Sequence, residues 1–201
     1  MNKLNQTDKG IYYIHDYIPQ YKWDRMSFEE TEISQRLLRY KDEGNEYALN
    51  FFTDELKIAI SLFSKKVLDD NINQIALFAV PPSKVDKYSP MRISINNIAN
   101  DKKYKSSLKN IIIKDYGEVL IRTKDVNTSH INDDRRAYRH EHILSIDSTV
   151  DFEDYPKDIA YLILDDITTT GTQMEVCRDV LIDNYTPEDN IYMMAIGATI
   201  R

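Results

Sequence analysis

The sequence predicts an α/β protein with a mostly parallel central sheet flanked by helices and a small amino-terminal helical segment or hood. Three observations predict it. Short continuous apolar runs at 75–80 (IALFAV), 159–164 and 191–200 read as buried strands. Segments with helical spacing alternate with those runs, as parallel strands joined by crossover helices require. Gly44, Pro81-Pro82, Ser89-Pro90, Gly117 and Gly171 stand at the boundaries.

In order along the chain, residues 1–25 carry many tyrosines and no clear period. Ser27 followed by Glu30 reads as a capping box, and Ile33, Leu37, Leu38 and Tyr40 then recur at helical spacing up to Gly44. Leu49, Phe52, Leu56, Ile60 and Phe63 form the stripe of a second helix, ending near Asp69-Asp70-Asn71. The strand at 75–80 leads into a loop, and Ser89-Pro90 opens a helix carrying Ile95 and Ile98. A further helix is expected over 108–114 and a strand over 119–121. The polar stretch 123–140 reads as a long functional loop, with a short strand at 142–146 behind it. Val176, Cys177, Val180 and Leu181 form the apolar face of the helix after Gly171. Residues 1–72 are expected to form the hood and 73–201 the core, as one compact unit.

With 201 residues, the chain suits one α/β domain with an elaboration, or two small domains. Apolar residues at 42% and charged residues at 29% place it among soluble globular proteins. No apolar run is long enough for a membrane span, and the amino terminus lacks the apolar block of a signal peptide. The single Cys177 excludes an internal disulfide framework and a cysteine-rich zinc site, so a reducing cytoplasm is the expected location. A net charge of −7 argues against wholesale nucleic-acid binding. Basic clusters at Lys102, Lys103, Lys105 and Lys109, and at Arg135, Arg136, Arg139, His140 and His142, suit local anions or a solvated face. His140 and His142 show no third metal ligand and read as a surface pair.

Chemistry concentrates in residues 161–173, YLILDDITTTGTQ. In open α/β sheets, ligands bind beyond the carboxyl ends of the strands. Asp165 and Asp166 are expected there. Thr169, Thr170, Gly171 and Thr172 form the turn into a helix whose free N–H groups and dipole suit a phosphate. Acids that accept from sugar hydroxyls, beside such a cradle, describe a ribose 5-phosphate site. A capped polar loop uses the same residue types. Neither a Gly-x-x-x-x-Gly-Lys loop nor a Gly-x-Gly-x-x-Gly fingerprint is present.

LILDDITTTGTQ resembles the phosphoribosyl-pyrophosphate (PRPP) motif of type I phosphoribosyltransferases. The resemblance implies their Rossmann-like fold, a PRPP or nucleotide 5-phosphate ligand with Mg2+, and transfer of the phosphoribosyl group to an acceptor. It implies catalytic roles for Asp165 and Asp166 on the ribose hydroxyls. Thr168, Thr169, Thr170, Gly171, Thr172 and Gln173 would hold the 5-phosphate, Gln173 standing where the family usually has Thr or Ser. Ser83 and Lys84 are candidates for pyrophosphate, with Arg135 and Arg136 as a closing lid. No direct protein ligand for the metal is expected.

VLIRTKDVNTSHINDDRRAYRHEHI, FAVPPSKVDKYSPMRISINNIA and RYKDEGNEYALNFFTDEL resemble the ComF-type, competence-associated branch. The matching positions are Arg122, Thr123, His130 and Arg135 or Arg136. The cysteine pairs that often open ComF proteins are absent. This resemblance implies an alternative: a non-catalytic module that binds nucleotide and a protein partner in DNA uptake or related DNA metabolism. A homodimer stays open, and no membrane partner is expected. The acceptor pocket is expected from the first 40 or so residues.

Overall fold

The computed structural model describes residues 4–85, 87–125, 144–147, 158–184 and 188–199. The protein is α/β, with a mixed sheet of mostly parallel strands flanked by helices. The elements are β1 (Asn5–Gln6), β2 (Tyr12–Tyr17), α1 (Phe28–Glu43), α2 (Glu46–Lys66), β3 (Gln74–Ala79), α3 (Pro90–Asn100) and α4 (Lys102–Ser107). They continue with β4 (Ile112–Asp115), β5 (Leu120–Arg122), β6 (Leu144–Ile146), β7 (Ile159–Thr168), α5 (Thr172–Asn184) and β8 (Ile191–Thr199). The central sheet runs β1-β2-β8-β7-β3-β4, and only the β1–β2 pairing is antiparallel. Strands β5 and β6 form a separate antiparallel ribbon.

The central strands read as unbroken apolar runs because both faces are covered. Ile75, Leu77, Ala79, Leu162 and Leu164 pack in the layer of α1, α2 and α3. Ala76, Phe78, Tyr161 and Ile163 pack on the other side, with Met174, Val176, Cys177 and Leu181 of α5 and Leu120 and Leu144 of the ribbon. Cys177 is buried there, as its place on the apolar face predicts.

Helix limits follow the capping signals. The Ser27 hydroxyl accepts from Glu30 N, while the Glu30 carboxylate accepts from Ser27 N at 2.7 Å. Gly44 closes α1 in the left-handed region, at φ 59°. Ser27→Ala is expected to lower stability by about 1 kcal/mol, the usual value of such a cap, measurable by urea denaturation.

Four expectations change. The helix expected over 108–114 is instead α4, capped by the Asp101 carboxylate on Tyr104 N, followed by strand β4. Lys109 at φ 48° breaks the helical path, and the β-branched Ile111, Ile112 and Ile113 suit a strand. The strand near 119–121 lies in the ribbon, not the main sheet. Strand β7 does not stop at Leu164 but continues to Thr168, because β8 pairs with it through Thr168 and Ala198. The amino-terminal tyrosines include β2, a parallel neighbour of β8. No helix among the described residues is long and apolar enough to cross a membrane.

The chain passes from β3 outward to β4, then returns across β3 to β7 and on to β8. The order therefore reverses between β3 and β7. A crevice at the carboxyl ends of these two strands is the usual ligand position in such sheets. β3 ends at Ala79 while β7 runs four residues past its partner Leu164, which leaves the last turn of β7 unpaired on the β3 side.

Candidate functional site

Asp165 and Asp166 lie in that unpaired extension, both half-buried. Each uses one carboxylate oxygen on a local frame. Asp165 Oδ1 accepts from Asp166 N at 2.9 Å, and Asp166 Oδ1 accepts from Ile167 N at 2.6 Å. Asp166 Oδ1 also accepts from Lys41 Nζ at 2.9 Å. Among the described residues, neither Oδ2 has a hydrogen-bond partner. Two carboxylate oxygens thus stay open for donors such as sugar hydroxyls.

The acids differ in surroundings. Asp165 lies toward α5, where its charge pushes the buried Cys177 thiol upward, after burial itself. Burial, and then the neighbouring Asp166, push the Asp165 carboxyl up to about 7. Lys41 and the Asp166 amide oppose that rise. A carboxyl raised this way favours folding while protonated. Its unfolded value is ~4, so between about pH 4 and pH 7 the folded state keeps a proton the unfolded state has lost. Stability then falls as pH rises through that window. Asp165→Asn is expected to flatten this dependence and to gain up to about 4 kcal/mol at pH 8, since one pKa unit is worth about 1.4 kcal/mol. Urea denaturation at pH 5 and pH 8 reads it. A partly buried acid kept at such a cost is typical of functional sites.

Behind the acids, Thr169, Thr170 and Gly171 form the turn into α5. The Thr170 and Thr172 hydroxyls lie 3.1 Å apart and hydrogen-bond to each other. Gly171 has φ +76°, open to glycine and costly for other residues, and is buried against Ile11. Thr168 is itself buried in β7 and pairs with Ala198, beneath the turn rather than on it.

Gln173 stands apart from the other motif residues. Its amide donates to the Pro81 carbonyl at 2.8 Å, in the loop after β3. The buried Arg122 donates to the same carbonyl at 3.3 Å and to Pro82 O through Nε. The Asp125 carboxylate accepts from Val85 N at 2.8 Å. Three side chains from other elements thus hold the 81–85 loop at the rim of the crevice. Ser83 is half-buried in this loop and Lys84 is exposed. Arg135, Arg136, Arg139, His130, His140 and His142 lie outside the described residues.

Two features escaped the sequence. Lys41 reaches Asp166 from α1, and Gln173 ties α5 to the loop after β3. A signal for Lys41 was available: it falls one turn after Leu37, on the inward face of its helix, where an apolar residue is the norm. Tyr17 of β2 completes the surroundings of Asp166. Burial raises its phenol, with Lys41, Asp42 and Asp166 acting on it. Trp23 donates to Ile18 O at 2.9 Å and packs the amino-terminal segment.

No model of a known protein family matches the chain, and no curated protein matches it. The functional reading therefore rests on the fold and this geometry.

Proposed function

We propose that the protein has a type I phosphoribosyltransferase-like fold, binds PRPP or a nucleotide 5-phosphate with Mg2+ at the carboxyl end of β7, and transfers the phosphoribosyl group to an acceptor. One observation carries this reading. Two adjacent acids, each with an open Oδ2, precede a hydroxyl-rich turn at a helix N-terminus, at the point where the strand order reverses. The open oxygens suit the 2- and 3-hydroxyls of a ribose, and the turn suits its 5-phosphate. In the transfer, the bond from the anomeric carbon to pyrophosphate breaks and its electrons leave with pyrophosphate. A lone pair of the acceptor forms the new bond, and the acceptor's proton is lost to solvent or to a nearby base. Negative charge at Asp166 favours the positive charge that develops on the ring. Mg2+ would supply positive charge to the leaving pyrophosphate, and no side chain is assigned to it. The segment from β2 into α1 supplies the acceptor side, since Tyr17 and Lys41 flank Asp166.

A second reading has its own support. The Gln173 amide is taken up by Pro81 O, which removes one donor from the phosphate cradle. A module that binds the ligand and a partner protein without transfer tolerates that loss. Pyrophosphate release from PRPP over a panel of bases and amines separates the two. Release with one acceptor class supports transfer, and binding without release supports the module.

A further inference from the structure

Lys41 is placed by its helix rather than left to solvent. One turn earlier, Leu37 packs against Gly197 of β8 so closely that a Cβ there would lie 2.6 Å from Leu37 Cδ2. The neighbouring Tyr40 hydroxyl bonds Ser94 of α3 at 3.0 Å, and Ser94 bonds Thr53 of α2 at 2.8 Å. Asp42 pairs with Lys87 at 3.4 Å, and Gly44 lies against the Tyr88 ring. The last turn of α1 is thus fixed to β8, α3 and the segment after β3. The Lys41 side chain is 37% exposed, yet its ammonium sits on Asp166 Oδ1. The groups around the acid pair are Tyr17 from β2, Tyr40, Lys41 and Asp42 from α1, Tyr88 from the segment before α3 and Cys177 from α5. Of these, Lys41 is the cation, and its charge acts on both acids.

We propose that Lys41 is a positioning residue of the site: its ammonium, bonded to Asp166 Oδ1, holds that carboxylate in place, and its charge bears on proton exchange at Asp165. The inference rests on the reading of this pair as the ligand site. It adds an asymmetry that the motif does not contain. Asp166 is held by the ammonium, while Asp165 accepts or donates depending on pH, so ligand affinity carries the titration of Asp165.

Carbon-13 titration of the aspartate carboxyls, without ligand, tests it on wild type, Lys41→Gln and Lys41→Arg. Gln keeps a donor for Asp166 and drops the charge; Lys41→Met serves as a second charge-free variant. The Asp165 midpoint is expected to rise by about one unit or more in Lys41→Gln and Lys41→Met, and to return toward wild type in Lys41→Arg, since a nearby opposite charge typically lowers a carboxyl by about one to three units and Lys41 opposes the rise of Asp165. Asp42→Asn, which leaves the ammonium in place, is expected to shift it far less. An Asp165 midpoint unmoved in the folded charge-free variants overturns the proposal. The titration needs no ligand, so its failure is distinct from a failure to bind PRPP.

Discussion

Asp165→Asn/Asp166→Asn is expected to bind PRPP at least about 100-fold more weakly than wild type, in isothermal calorimetry with Mg2+ at pH 8, above the Asp165 midpoint. The magnitude follows from two lost hydrogen bonds to charged acceptors, each worth roughly 1.5–3 kcal/mol. The fold is expected to survive. Asn keeps a carbonyl oxygen that can accept from Asp166 N and Ile167 N, which are the bonds that frame the pair. The two positions also respond in opposite ways in stability. Removing the Asp165 carboxyl relieves a buried acid, whereas removing the Asp166 charge leaves Lys41 Nζ without its partner. A double variant that folds as well as wild type but has lost the ligand therefore points to binding chemistry rather than to packing.

Gly171→Ala is expected to cost about 2–5 kcal/mol and to remove ligand binding with it. The backbone at φ +76° costs a side-chain-bearing residue roughly 1–2 kcal/mol. The added Cβ would also lie 2.5 Å from Ile11 Cδ1. Ile11 is buried between the start of β2 and α5, so its relief moves core residues, and overpacking of this kind costs typically 1–3 kcal/mol. The two contributions separate in Gly171→Ala/Ile11→Val, which deletes the clashing atom. Ile11→Val alone costs about 0.5–1.5 kcal/mol. The double variant is expected to be more stable than the sum of the singles predicts, with the backbone cost left over. Strictly additive losses in urea denaturation would show that Ile11 does not confine the turn.

What could be read from the sequence follows the range of the interactions involved. The stripe of α2, the capping box of α1 and the apolar runs of β3, β7 and β8 are local patterns, and they appear in the structure close to where they were expected. Strand β2 was hidden because it is an edge-side strand rich in amphipathic residues: Tyr12, Tyr13, His15 and Tyr17 are half-buried and only Ile14 is fully inside. Strand β4 was read as helix because Leu108 and Ile112 have helical spacing. The left-handed Lys109 between them cannot be seen in a hydrophobic pattern. At the site, the acids and the Thr-Thr-Gly turn lie in one short segment and could be read together. The contacts of Lys41 with Asp166 and of Gln173 with Pro81 span 125 and 92 positions and come from folding alone. Gln173 shows the limit most clearly: the sequence marks it as an exception within the motif, and only the structure gives that exception a partner.

The central claim is that the end of β7 and the turn into α5 bind a ribose 5-phosphate group. Calorimetry of wild type with PRPP, in the presence and absence of Mg2+, tests it most directly. The account predicts saturable one-to-one binding that strengthens with Mg2+ and weakens about 100-fold in Asp165→Asn/Asp166→Asn, as the loss of two charged acceptors requires. No saturable heat from PRPP, or binding equal in wild type and the double variant, would contradict it.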